Sequence, residues 1–228
     1  MSFDKETRSL LARAVTACRR RVTADVAEQL GGIYGIHRDG TVLPPGRMTN
    51  LAPDELADAE RLREILDHYA ACEKGTLRER AAAAYERVVL EIAFTVLNRL
   101  VALRLCEERG LMVECVRQGM SSDGFRLYEK TSGGALGPRY VAYRAYLESV
   151  FDELALDLGV LFDRHLPQAV IFPSERCLED VLAELNKPGL THLWAEDETI
   201  GWVYQYFNPP EERKAMREAS QAPRNSRE

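Results

Sequence analysis

The sequence lacks most of the usual carriers of chemistry. It has five cysteines but no CxxC pair, so neither a zinc site nor a disulfide framework is indicated. The odd number and wide spacing of Cys18, Cys72, Cys106, Cys115 and Cys177 fit free thiols and a reducing, cytoplasmic setting. The four histidines, His37, His68, His165 and His192, form no HxxxH or HxH pattern, which leaves a metal site without its commonest ligands. No GxxxxGK[ST] or GxGxxG is present, so no phosphate loop is expected, and the absence of GxSxG removes the nucleophile-elbow hydrolases. Positive charge is not in excess either. With 30 Lys and Arg against 36 Asp and Glu, the net charge is -6, and any contact with nucleic acid would need a local basic patch. The start, MSFDKETRSL, lacks a basic-then-apolar leader pattern. The most apolar window, 88–105, is interrupted by Glu91, Asn98, Arg99 and Arg104, whereas a membrane span needs roughly 20 mostly apolar residues. No membrane partner is therefore expected.

What is present is helix. The stretch TLRERAAAAYERVVLEIAFTVLNRLVALRLCEERGLM contains no proline, and no glycine before Gly110. Thr76 with Glu79 forms a capping-box pattern, and Gly110 suits a left-handed C-terminal cap. Apolar positions from Tyr85 to Leu105 cover more than one face, as expected of a helix buried among other helices. Asn98 and Arg99 interrupt this run. A buried guanidinium must have partners, and Glu91 is a candidate; Arg104 and Glu108 have the spacing of an i,i+4 pair.

Around this central helix the pattern predicts further helices. One runs from Asp4 to about Gln29, with a stripe through Leu11, Val15, Cys18, Val22 and Val26. Another opens at Pro53-Asp54-Glu55, ends before Gly75 and pairs antiparallel with the central helix across a short link. Tyr140 to about Phe162, a segment capped by Ser174, and Asp197 to about Phe207 complete the set. Glycine and proline make 31–50 irregular, and the Gly/Ser-rich 118–137 reads as a surface loop or a break between subdomains. The predicted fold is mainly α: a multi-helix bundle around a long buried helix at about 76–109, with 1–208 as the helical domain and 209–228 as a charged linker.

Three local patterns invite functional readings. Arg19, Arg20 and Arg21 are the candidate DNA contact, but consecutive residues fan out over about 200° of a helix, so they share no flat face. A solvated, salt-bridged surface is the simpler account. Asn208-Pro209-Pro210 resembles the catalytic loop of amino-methyltransferases, but Glu211 stands where an aromatic residue would stack on the flipped base. Glu212-Arg213-Lys214 has the ExK form of metal-dependent nucleases, without the strand and upstream Asp that would hold the metal. No residue is assigned a catalytic, cofactor-binding or metal role.

Two longer segments carry a resemblance. Residues 92–109, IAFTVLNRLVALRLCEER, contain Asn98, Arg99, Leu100, Ala102, Leu103 and Arg104. Residues 198–208, ETIGWVYQYFN, contain Ile200, Gly201, Trp202, Tyr204 and Gln205. In this order and spacing they resemble the N-terminal helical region of BREX-type adenine-specific DNA methyltransferases, including the phage-growth-limitation and DISARM relatives. Leu97 stands where that pattern has an aromatic residue. The resemblance implies a non-catalytic accessory domain of a phage-defence enzyme that methylates the N6 amino group of adenine with S-adenosylmethionine. The catalytic domain would lie beyond residue 228, in the same or a neighbouring polypeptide. It would be the main partner; DNA would be reached through it, and other defence proteins are further partners the family implies. No cofactor is expected in this chain itself. The rival reading is a free-standing helical scaffold or interaction protein with no enzyme attached. In either case the aromatics of 198–207 suggest an interface.

Overall fold

The computed structural model describes residues 3–48 and 51–208. The chain folds as seven α-helices over these residues: α1 (Lys5–Gly32), α2 (Pro53–Cys72), α3 (Leu77–Glu108), α4 (Asp123–Ser132), α5 (Arg139–Phe162), α6 (Glu175–Leu185) and α7 (Glu198–Phe207). Short 3-10 turns join them, and the one β-bridge described, Ile36 to Val42, is isolated. The 209–228 linker and the Pro-Pro and ExK patterns lie outside the described residues.

The central helix is α3. Thr76 accepts from the Glu79 N–H at 3.3 Å while the Glu79 carboxylate accepts from the Thr76 N–H at 2.9 Å, so two orphan donors of the first turn are satisfied. Gly110 takes φ 65°, the left-handed turn that ends the helix. At 32 residues α3 is long enough to touch α1, α2, α5 and α7 along its length. Its buried positions include neighbours such as Val88–Val89 and Leu103–Arg104–Leu105, so no face is given wholly to water. Tyr69, near the end of α2, bonds Glu91 in the middle of α3, and Arg80 at the start of α3 donates to the Ala70 carbonyl at 2.7 Å. The two helices run antiparallel, as the short link predicts.

Helix α1 lies across the other side of α3 and also packs on α6 and α7. Its Asp25 ties α1 to α6 by accepting from the Ser174 N–H at 3.1 Å and from the Ser174 hydroxyl, and Ser174 caps α6. Where the irregular segment 33–48 passes α2, Arg63 pins it. Arg63 donates to the carbonyls of Tyr34 at 3.0 Å and Leu43 at 2.5 Å. Gly35 sits at φ 61° there, and a Cβ would stand 2.8 Å from that of Leu43, so only glycine fits the turn.

Segment 118–137 is a correction. The expected loop contains a 3-10 turn, Gly119–Ser121, and then α4. Phe125, fully buried, packs 5.1 Å from Tyr143 and 5.8 Å from Tyr146 of α5. Tyr128 adds a further contact with Tyr146 one helical turn on. Burying one aromatic face outweighs the low helix propensity of Gly and Ser. Gly124 is required at that face, since a Cβ would fall 2.1 Å from the Tyr146 hydroxyl. The hydrophobic cluster that begins at Leu11 continues through Phe125 to Phe207. The last connector also winds up, as a 3-10 turn at Pro188–Ala195 that buries Trp194 completely; its indole N–H donates to the Leu185 carbonyl at 3.1 Å.

Candidate functional site

Two polar side chains are driven into the core by their place on α3, and each collects its own surroundings. Arg104 is 2% exposed. Its Nη2 stands 2.8 Å from the Glu108 carboxylate, the pair its spacing predicts, and its Nε donates to Asn186 Oδ1 at 3.0 Å. Asn186 in turn donates to the Val116 carbonyl at 3.0 Å. The chain after α3 is wrapped on Glu107, whose carboxylate accepts from the N–H groups of Cys115, Val116 and, at 3.1 Å, Arg117. Tyr143 closes the arrangement from α5 by donating to the Cys115 carbonyl at 2.8 Å. Burial raises the ionisation range of the Cys115 thiol and the Tyr143 phenol, and the nearby Glu107 charge adds to it. This is a closed structural joint between α3, α5 and α6.

Arg99 differs. It is 5% exposed, and its Nε and Nη2 donate to the carbonyls of Leu161 and Asp163 at 2.7 and 2.9 Å. It therefore caps the C-terminus of α5, where the helix dipole favours a cation. Its guanidinium lies 5.1 Å over the Phe151 ring. Burial lowers its pKa to about 10, partly opposed by the Asp163 charge, so Arg99 stays cationic at neutral pH. Glu91, the expected partner, is elsewhere: it bonds Tyr69 and, at 3.1 Å, Arg87, about two turns nearer the start of α3 than Arg99. The end of α5, where the backbone kinks at Leu158, supplies carbonyls that the sequence did not mark as acceptors.

Arg99 opens onto a cleft of about 260 Å³ between α2, α3, α5 and the 163–172 connector. Arg61, Arg144 and Arg164 also line it. Arg61 meets Asp58 at 3.0 Å; Arg144 meets Glu148 at 2.8 Å and lies 5.2 Å over Phe172. Arg164 holds Asp152 with two bonds of 2.7 Å, which keep that carboxyl below its ordinary range, and it reaches Glu148 at 3.4 Å.

The other expected residues scatter. Asn98 is half-buried beside Arg99. Arg19 donates to the Phe207 carbonyl at 2.7 Å, Arg21 pairs with Asp180 at 3.3 Å, and Arg20 is exposed. Two of the three arginines thus bind helix ends or faces of their own fold, as the fan geometry implies. Trp202 is half-buried, stacked on Tyr206 at 5.6 Å with Arg8 5.5 Å over its ring. Tyr204 is exposed and meets the edge of Phe94, which also packs 5.0 Å from Phe207. Gln205 is exposed. The two motif segments, distant in sequence, are therefore in contact, and Arg109 adds an ion pair to Asp197 at 2.8 Å.

No family model, no curated protein and no solved structure matches this chain. Among the described residues no group of three or more His, Cys, Asp or Glu is placed to hold a metal ion, and no helix is long and apolar enough to cross a membrane. The residues that sequence reasoning missed are Arg144, Arg164 and Glu107. Arg144 and Glu148 carry a local signal, their i,i+4 spacing. Nothing local marks Arg164 or Glu107, whose partners come from remote segments of the chain or from irregular backbone.

Proposed function

We propose that this chain is a non-catalytic helical accessory domain of an N6-adenine DNA methyltransferase from a phage-defence system. It serves as the platform on which the S-adenosylmethionine-binding domain docks. The observation that supports this reading is the contact between the two motif segments. Phe94 of the first packs against Tyr204 and Phe207 of the second. A motif pair that forms one packed unit has a reason to occur in fixed order and spacing, even though neither half carries chemistry. The exposed Ile200 and Tyr204 on α7 supply apolar surface for a partner next to that unit.

Co-expression tests the proposal. The polypeptide carrying the Asn-Pro-Pro-aromatic catalytic motif from the same locus should co-purify with this chain, and Tyr204→Glu should release it. Methylation of adenine by the pair should require both parts, while calorimetry should detect no S-adenosylmethionine binding by this chain alone. Tight cofactor binding by the isolated chain would overturn the proposal, as would a locus with no such catalytic motif. A second observation favours the scaffold reading. Leu156 and Val160, at the kinked end of α5, are 86% and 95% exposed, far from α7 in sequence, and fit a protein partner of any kind. If a non-enzymatic protein co-purifies instead and Val160→Glu releases it, that reading replaces the first.

A further inference from the structure

The cleft around Arg99 is built from four guanidiniums that four different parts of the fold contribute: Arg61 from α2, Arg99 from α3, Arg144 from α5 and Arg164 from the connector. Three carboxylates answer them, Asp58, Glu148 and Asp152, through the ion pairs of Arg61, Arg144 and Arg164. Arg99 is the cation without a carboxylate. Asp163 lies close enough to favour its charge, but its Oδ1 is engaged with the His165 N–H at 2.8 Å, and it does not line the cleft. The Nη1 of Arg99 makes no hydrogen bond among the described residues, and it is not a sealed, water-free donor. His165, also in the wall, supplies no carboxylate.

Two of these guanidiniums are fixed in place. Arg99 lies on Phe151 and Arg144 on Phe172, so holding a ligand there costs little further ordering. Guanidiniums converging from several elements match an anion with oxygens in several directions, whereas a planar carboxylate engages one fork. The volume, about 260 Å³, is below the roughly 300–1,000 Å³ typical of sites for drug-sized ligands, so the cleft fits a small anionic group rather than a whole nucleotide. We propose that this cleft is a phosphate-binding site in which Arg99 and Arg144 hold a phosphoryl group, supplied either by a small phosphate metabolite or by a nucleic-acid backbone. The site is separate from the α7 surface, so it does not depend on the methyltransferase reading.

Calorimetric titration of the whole chain with inorganic phosphate, at constant ionic strength, tests this. Saturable one-to-one binding is expected. Arg144→Gln should weaken it about tenfold, the loss of one charge-assisted hydrogen bond. Glu148→Gln should tighten it, because it removes the carboxylate that competes for Arg144 and Arg164. Arg20→Gln, an exposed arginine on α1, should leave it unchanged. Thermal melts of each variant without phosphate verify that the fold is intact. Competition by a short duplex DNA identifies backbone phosphate as the source; competition only by small phosphate esters identifies a metabolite. The proposal is overturned by the absence of saturation at about 10 mM phosphate, where even a millimolar site would be filled. It is also overturned if acetate binds equally well, or if Glu148→Gln weakens binding as Arg144→Gln does.

Discussion

Arg99 and Arg104 sit five positions apart on α3 and are almost equally buried, at 5% and 2% exposure. Five residues turn a helix by about 140°, so the two point to different sides. Arg104 enters a closed joint, in which Glu108 and Asn186 receive it and Glu107 gathers the following backbone. Arg99 lines a cleft shared with other cations, in which it caps α5 and leaves one nitrogen without a hydrogen bond among the described residues. Burial alone therefore does not say what a polar group is for. A cation met by a carboxylate, as Arg104 is by Glu108, is neutralised within the fold even though its Nη1 is buried without a hydrogen bond; one whose partners are carbonyls and neighbouring cations keeps positive potential that a ligand can use.

The comparison is broken most strongly at Glu107. Glu107→Ala leaves three backbone N–H groups without their acceptor, two of them on buried residues, and should cost about 3 kcal/mol in urea unfolding. An unchanged midpoint would mean that the joint is held by packing alone. Next is Gly124→Ala on the same side of the molecule, expected to cost about 2 kcal/mol because its Cβ must displace the Tyr146 hydroxyl. Adding Tyr146→Phe should restore part of that loss, and no restoration would place the strain at the Glu114 carbonyl instead, 2.7 Å away.

At alkaline pH the buried thiols and phenols of the core act with one sign and Arg99 with the other. Burial holds the thiols of Cys18 and Cys177 up to about 12 against an ordinary 9.0, and the phenols of Tyr69 and Tyr140 up to about 12 against 10.0. Cys115 and Tyr143 in the joint are raised as well. Between about pH 9 and 12 the unfolded chain has lost these protons while the folded chain keeps them, so stability falls as pH rises. Arg99 runs the other way. Its folded pKa is about 10, below the ordinary 12.5, so the unfolded chain binds the extra proton above pH 10 and folding gains. The raised thiols and phenols outnumber it, and denaturation midpoints should decline through this window. Tyr143→Phe should flatten the decline, and Arg99→Met should steepen it.

At neutral pH Arg99→Met should cost only about 1 kcal/mol: the Leu161 and Asp163 carbonyls lose a donor, while the expense of a buried charge disappears. A loss as large as that from Glu107→Ala would put Arg99 in the same class as Arg104. Arg144→Gln, at the partly exposed rim of the cleft, should change stability by less than about 0.5 kcal/mol while weakening phosphate binding, which would separate ligand holding from folding.

Much of the scaffold was legible in the residue order. The capped start at Thr76, the left-handed stop at Gly110, the Ser174 cap and the antiparallel pairing of α2 with α3 all follow from signals a few residues long. Helix α4 was not legible, because Gly and Ser dominate its surroundings and its stability comes from Phe125 and Tyr128 meeting residues of α5. Of the candidate residues, Arg104 with Glu108 could be read from i,i+4 spacing. Arg99 could be recognised as a buried cation but not given its partner, because those acceptors are backbone carbonyls and a carbonyl has no letter in the sequence.

The sequence by itself determined that the chain is helical, where its long core helix begins and ends, and that polar groups at 98 and 99 would be carried into an apolar surrounding. Those properties depend on local hydrogen bonding and on a 3.6-residue period, both written within a few turns of chain. Tertiary structure alone decided which of the two buried arginines is closed off and which faces a cleft. The residues that make the difference, Asn186 for one and Arg144, Arg164 and the end of α5 for the other, come from distant parts of the chain. Electrostatic environment depends on distance in space, and only packing sets that.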